Sequence, residues 1–362
     1  MPGDVISVAL IGCGKISRKH VQVIREIPDL KLTAVVDTNP ARAQEVADQV
    51  DGCRVYPDLE SVCADPKIRL GVVCTPSGLH ARQGVTLARA RKHVVVEKPM
   101  ALRLDEADAL IEACDQAGVK LFVVKQNRYN APVRKAREAI ESGRLGRVFM
   151  GDVRVLWNRS QSYYDEEPWR GTWEMDGGVL TNQASHHIDL LIWMMGDVES
   201  VYAQGRTVLH QIEVEDTGVV LIKFRSGGLG IVEASTAIQP RDLEGSLNLY
   251  GERGTIEIGG FAANELKTWR FREELPEDEA IRRDFAKNPG GATYAHHQFY
   301  LNVVETLHEQ RLALIDGFQG RRSLEVIHAI YESMETREEV QLRFEGRRVR
   351  LGTAAPTPPT SA

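Results

Sequence analysis

Long apolar runs, paired cysteines and an excess of positive charge are all missing from this chain, and each absence removes a class of protein. No stretch approaches the roughly 20 apolar residues that a membrane-spanning helix needs, so no membrane partner is expected. The N-terminus carries Asp4 and enters an apolar strand pattern at once, without the charged-then-apolar region of a secretory signal. The cysteines are Cys13, Cys53, Cys63, Cys74 and Cys114. They are odd in number and form no CxxC pair, which reads as reduced thiols in a cytoplasmic protein and not as a disulfide framework. A formal charge of −6 argues against a nucleic-acid partner bound through a basic surface. The doublets His186-His187 and His296-His297 suggest metal. Neighbouring helical positions diverge by about 100°, however, and no Cys cluster or HExxH pattern accompanies them, so no metal is expected.

What is present is an ordinary globular composition, 43% hydrophobic and 27% charged, in 362 residues. That length exceeds one comfortable core and suits two domains. Up to about residue 126, short apolar runs (Val5 to Ile11, Leu30 to Val36, Leu70 to Cys74, His93 to Val96, Lys120 to Val124) alternate with helical patterns. Such alternation signals an α/β fold with a doubly wound parallel sheet. Over 127–351 the pattern changes. Strands at Gly146 to Leu156, Val198 to Arg206, Asp216 to Phe224, Gly230 to Ala237, Ser246 to Tyr250 and Gly254 to Ile258 follow one another with hairpin turns such as Arg225-Ser226-Gly227-Gly228. This predicts an α+β domain with a largely antiparallel, open-faced sheet. The helices at 133–142, 184–195, 294–309 and 318–336 are expected to pack on it. Residues 352–362, rich in Pro, Thr and Ala, read as a disordered tail.

The loop Gly12-Cys13-Gly14-Lys15-Ile16-Ser17 follows a strand and opens a helix. Gly12 permits a tight turn and Gly14 close approach of a pyrophosphate, which the helix N-terminus then binds through its free N–H groups. Asp37 ends the second strand, 23 residues after Gly14, where a carboxylate accepts from ribose hydroxyls and repels a 2′-phosphate. NAD is therefore the expected cofactor, held by Gly12, Gly14, Lys15, Ile16 and Asp37. Two further strand ends, Thr75-Pro76-Ser77 with His80 and Glu97-Lys98-Pro99, are expected at the nicotinamide end.

Taken together, Gly-x-Gly, Thr75-Pro76-x-x-x-His80, Glu97-Lys98-Pro99, Gln126-Asn127-Arg128-Tyr129, Gly177-Gly178, Asn182, His186 and Asp189 resemble the Gfo/Idh/MocA oxidoreductase family over nearly the whole chain. The resemblance implies a Rossmann domain and a C-terminal domain whose sheet carries specificity and mediates a homo-oligomer, a tetramer or otherwise a dimer. Within the family, 124–130, 157–178 and 179–190 resemble the UDP-N-acetyl-2-amino-2-deoxyglucuronate (UDP-GlcNAcA) 3-dehydrogenases of lipopolysaccharide and O-antigen sugar biosynthesis. It further implies that Gln126, Trp169 and Arg170 touch the cofactor. A dehydrogenase of a free polyol such as an inositol, and a non-catalytic NAD-binding sensor, are the competing readings.

Alcohol oxidation needs a group that takes the hydroxyl proton as the hydride leaves. Lys98 and His186 are the expected pair, since histidine titrates near neutral pH. The family's motif carries Asp where this chain has Asn182, and an amide cannot take a proton, so Asn182 is expected to orient. Positions 182 and 186 are read as sharing one helix face. For a nucleotide-sugar acid, Arg154 and Arg159 suit pyrophosphate and carboxylate, and Asn158, Gln161, Tyr163, Tyr164 and Thr172 accompany them. Lys98, Asn182 and His186 complete the expected substrate set.

Overall fold

The computed structural model describes residues 4–287, 290–309 and 311–342. The expected tail, 352–362, lies outside them. In chain order the elements are β1 (Ile6–Ile11), α1 (Ser17–Glu26), β2 (Leu30–Val36), α2 (Pro40–Ala47), β3 (Arg54–Val55), α3 (Leu59–Ala64), β4 (Leu70–Val73), α4 (His80–Arg89), β5 (His93–Val96), α5 (Leu104–Ala117) and β6 (Leu121–Val123). There follow α6 (Ala131–Glu141), β7 (Val148–Leu156), α7 (Gln161–Asp165), α8 (Ser185–Met195), β8 (Val198–Arg206), β9 (Thr217–Phe224) and β10 (Leu229–Ser235). The last are β11 (Glu244–Gly251), β12 (Gly254–Gly259), β13 (Glu265–Phe271), α9 (Asp278–Phe285), α10 (Tyr294–Glu309), α11 (Gly317–Thr336) and β14 (Val340–Gln341).

Contacts divide the chain into two units, one running to Tyr129 and regaining the chain over Gly290–Leu324, the other taking Asn130 onward and the chain from Glu325. The first holds a six-stranded sheet in the order β3-β2-β1-β4-β5-β6. Every pairing in it is parallel. Val8 to Leu10 and Val94 to Val96 are fully buried, as continuous apolar strands must be when helices cover both faces. Each such side chain contributes about 1.5–3 kcal/mol on burial. The strand order reverses between β1 and β4, and the loops after β1, β2, β4 and β5 leave the same, carboxyl edge of the sheet.

The second unit holds an eight-stranded sheet, β13-β12-β11-β7-β10-β9-β8-β14. It is antiparallel except where β10 runs parallel to β7. On its inner face a Cβ at Gly151 would meet Met195 and Leu191 of α8, so the small residue lets helix and sheet close up. The opposite face carries Tyr202, Val219, Leu221 and Leu229, all exposed. The alternation along β9, exposed at Val219 and Leu221 and buried at Val220 and Ile222, is that of a sheet covered on one side.

One helix sits elsewhere than expected. Residues 294–309 are helical as read, but Phe299, Tyr300, Val303 and Val304 belong to the core of the first unit, not to the second sheet. Ring contact of Phe299 with Tyr129 and a bond from the Tyr129 hydroxyl to Asn302 (2.9 Å) hold α10 there. Periodicity marks the apolar face of a helix without naming the surface that receives it.

Candidate functional site

At the carboxyl edge of the first sheet the glycine loop has the two features its sequence required. Gly12 has φ +93°, and a Cβ there would stand 2.7 Å from the Cys74 carbonyl oxygen, so the β1 loop lies against the end of β4 at a distance only glycine allows. Gly14 is the opposite case: a Cβ there would meet nothing within 4 Å, leaving the backbone approachable. No side chain caps α1; the amides of Ser17 and Lys19 bond Gly14 O at 3.2 Å and Ile16 O at 3.0 Å, and the positive end of the helix faces the loop. Ser17, fully buried, bonds back to the Gly14 carbonyl at 2.6 Å. The Asp37 carboxylate is pinned by the amides of Cys13 and Asn39, both 2.7 Å, and is half-buried. Its remaining lone pairs stay free for hydroxyl donors. An open glycine cradle, an uncapped helix start and an anchored carboxylate fit a dinucleotide. When bound, NAD supplies the hydride acceptor.

The two strand-end motifs are tied together from behind. His80, buried at the head of α4, reaches Pro99 O at 2.7 Å and Thr75 O at 2.8 Å, while the Thr75 hydroxyl goes to Gln83 at 2.6 Å. His80 thus staples the end of β4 to the turn after β5. Burial lowers its pKa, against the two carbonyls that favour the cation. Glu97 also turns inward. One oxygen meets His20 Nε2 at 2.9 Å and the other accepts the Lys98 amide at 3.0 Å; Lys98 itself is half-buried. Burial pushes the Glu97 carboxyl up, but the His20 bond and the nearby His20, His296 and Lys98 outweigh it and hold it at about 2.

His20 Nδ1 completes the chain at the Tyr300 hydroxyl, 2.7 Å away. His20, Glu97 and His296 bring possible ligand atoms within 4.8 Å of one another, a grouping the sequence did not reveal because its members come from α1, the turn after β5 and α10. Within it His20 bonds Glu97 and Tyr300 and Glu97 accepts the Lys98 amide, while the His296 ring stands edge-on to that of His20, centroids 5.7 Å apart.

In the second unit, the Gly177-Gly178 motif forms an irregular turn. Asn182 N bonds Gly178 O at 2.9 Å and Ala184 N bonds Val179 O at 2.8 Å, and α8 begins only at Ser185. The expectation of 182 and 186 on one helix face is therefore corrected: His186 lies in the first turn of α8 and Asn182 in the turn before it. The Ala184–Val179 bond spans five residues, one more than in an α-helix. Asn182 donates its amide to Asp176, a buried carboxylate whose other oxygen accepts Gly171 N at 2.8 Å. An Asp at 182 would set two carboxylates against each other; the amide supplies the donor Asp176 needs. His187 is fully buried, its pKa lowered to about 4 by desolvation.

Beneath the turn lie Glu215 and Tyr331, both buried and neither marked by a sequence motif. The Tyr331 hydroxyl donates to Glu215 at 2.8 Å and accepts from Gly178 N at 3.0 Å and the Thr181 hydroxyl at 2.9 Å. Glu215 Oε1 also accepts Leu180 N at 3.0 Å. Burial raises the Glu215 carboxyl to about 7, and the charge of Asp176 adds to the rise.

Of the expected substrate residues, the structure gathers some and separates one. The Arg170 guanidinium lies 4.2 Å from the Tyr163 ring centroid and 5.6 Å from that of Trp169, and it donates to Tyr163 O. Arg159 lies 5.6 Å from the Tyr163 ring and pairs with Asp242 at 3.1 Å, which also fixes Asn158 N at 2.7 Å. Gln161 exchanges bonds with the Gln211 backbone, and Thr172 caps back to Trp169 O at 2.7 Å. Tyr164 is buried, its hydroxyl on Thr236 at 2.9 Å. Arg154 stands on the sheet face opposite α8, between Glu233 at 3.2 Å and Glu244 at 2.7 Å. Lys15 is exposed at the loop, and Ile16 and Gln126 are half-buried.

Comparison with known proteins matches both halves of the chain. The family described as "Oxidoreductase family, NAD-binding Rossmann fold" matches residues 6–125, and the GFO/IDH/MocA C-terminal domain matches residues 133–257. Myo-inositol 2-dehydrogenase of Thermotoga maritima is 30% identical over 351 residues, covering 92% of this chain and 98% of that protein. The crystal structure of the WlbA dehydrogenase from Bordetella pertussis, in complex with NADH and UDP-GlcNAcA, is similar at 41% identity and TM-score 0.92, covering 95% of this chain and 100% of that one. WlbA from Chromobacterium violaceum, with the same two ligands, is 39% identical at TM-score 0.89, covering 95% and 98%.

Proposed function

This chain belongs to the GFO/IDH/MocA oxidoreductase family and is an NAD-dependent dehydrogenase, and from that premise we propose that it oxidises the C3 hydroxyl of UDP-GlcNAcA to the 3-keto sugar. The observation that carries the substrate is the likeness to two dehydrogenases crystallised with UDP-GlcNAcA, at 41% and 39% identity over 95% of the chain. The likeness to an inositol dehydrogenase is weaker, 30%, and makes a free polyol the alternative to be assayed beside it.

In this reading Lys98 and His186 handle the hydroxyl proton as the C3–H bond breaks. Lys98 is suited to it because it is half-buried at the strand end and Glu97 fixes its backbone amide. Asn182 orients the sugar, with Asp176 holding its amide. Arg159 and Tyr163 offer a guanidinium and an aromatic face to the diphosphate and uracil, and Arg170 and Trp169, packed beside Tyr163, serve the cofactor. The exposed apolar face at Tyr202, Val219, Leu221 and Leu229 supports assembly as a homo-oligomer, a tetramer by our reading. Among the described residues no helix is long and apolar enough to cross a membrane.

Lys98→Ala and His186→Ala are each expected to lower kcat by on the order of 10²–10⁴-fold while NAD binding, measured by fluorescence titration, stays intact. Near-normal turnover in both variants would remove the assignment of these two residues.

A further inference from the structure

The buried pair beneath the Gly177-Gly178 turn has no part in the reaction assigned above, yet it makes most of the turn's polar contacts. We infer that Glu215 and Tyr331 are positioning residues that set the conformation of the Gly178–Leu180 turn, and through it the placement of Asn182 and His186.

A phenol has one hydrogen to give and two lone pairs to fill. Tyr331 gives its hydrogen to Glu215 and fills both lone pairs, from Gly178 N and the Thr181 hydroxyl. Glu215 in turn takes Leu180 N with its side chain and Val179 N with its backbone carbonyl. Four consecutive residues, 178 to 181, thus each send a donor to this pair. Gly178 is bound to it sterically as well, because a Cβ there would fall 2.1 Å from the Glu215 carboxyl group. The turn is not an independent structure; its shape is that of the pair it rests on.

The next donor, Asn182 N, closes on Gly178 O, and Ala184 N on Val179 O, so the first residues of α8 are started from the same turn. Buried donors left without acceptors favour another turn geometry. The titratable groups that act on Glu215 are Asp176, from the loop before Gly177, and Tyr331, from α11.

The inference rests on the reading that Asn182 and His186 serve the reaction, and the test separates the two. The variants are Tyr331→Phe, Glu215→Leu and Glu215→Gln in the full chain. Turnover is followed with NAD and UDP-GlcNAcA, NAD affinity by fluorescence, and backbone amide exchange of residues 178–184 by mass spectrometry. Tyr331→Phe and Glu215→Leu are expected to lower kcat at least about tenfold with NAD affinity unchanged, and to speed exchange in 178–184 at least about tenfold. Glu215→Gln, which keeps the acceptor oxygen for Tyr331 and Leu180, is expected to retain kcat within about threefold and to flatten its pH profile near neutrality. Wild-type exchange in Tyr331→Phe overturns the inference whatever the rates, and so does wild-type kcat in that variant. If the unaltered enzyme leaves UDP-GlcNAcA untouched, the substrate reading fails by itself and the exchange experiment still decides the inference.

Discussion

Asp37 shows how one side chain makes both a loop and a preference. Its two oxygens hold the amides of Cys13 and Asn39, so the carboxylate is anchored to the glycine loop on one side and to the start of α2 on the other. A fixed negative charge at that place repels a 2′-phosphate, and Thr38 offers it no compensating cation. Replacing Asp37 by Ser removes the charge and keeps a hydroxyl for the amides. The ratio of kcat/KM for NAD over NADP, measured side by side, is expected to fall at least about tenfold; an unchanged ratio would show that the preference is set elsewhere. Gly12 and Asp37 were legible in the sequence because their duties are local, a turn and a strand end. Asp176 and Glu215 were not. Nothing in a sequence announces that residue 215 will lie under residue 178, or that Tyr331 will join them.

Among the elements, the turn between Gly177 and α8 is the one whose stability should answer to pH. Glu215 has its carboxyl raised from an ordinary value of 4.5 to about 7, chiefly by burial. The folded state therefore holds a proton that the unfolded chain has already released. The resulting stability is fully present below about pH 4.5 and is lost as pH rises through about 7. A shift of that size corresponds to on the order of 3 kcal/mol. Between about pH 5 and 8, thermal or urea unfolding should show wild type losing stability relative to Glu215→Gln; parallel curves for the two proteins would contradict it. The same scale shows where the pattern reading stopped. The apolar runs of β1, β4 and β5 read plainly as buried parallel strands. β13, with charged and bulky residues mixed in Glu265–Phe271, gave no clean alternation, and the short, charged α9 gave no apolar stripe.

Over the molecule as a whole, the two architectures were legible because their periodicities differ: apolar runs broken by helices in the first, hairpin-linked strands in the second. The exchange of α10 into the first unit was not legible, since a helix pattern carries no address. Fold and cofactor follow from residues shared with many dehydrogenases. The substrate claim rests on less, the stretch from Asn158 to His186 and the two UDP-GlcNAcA-bound structures it resembles. The most direct test is to supply the purified protein and NAD with UDP-GlcNAcA, and in parallel with myo-inositol, following NADH absorbance and identifying the product by NMR. The account predicts NADH formation with the nucleotide sugar, a ketone at C3, and kcat/KM at least about 100-fold above that for myo-inositol. Turnover of myo-inositol with none of UDP-GlcNAcA would contradict it.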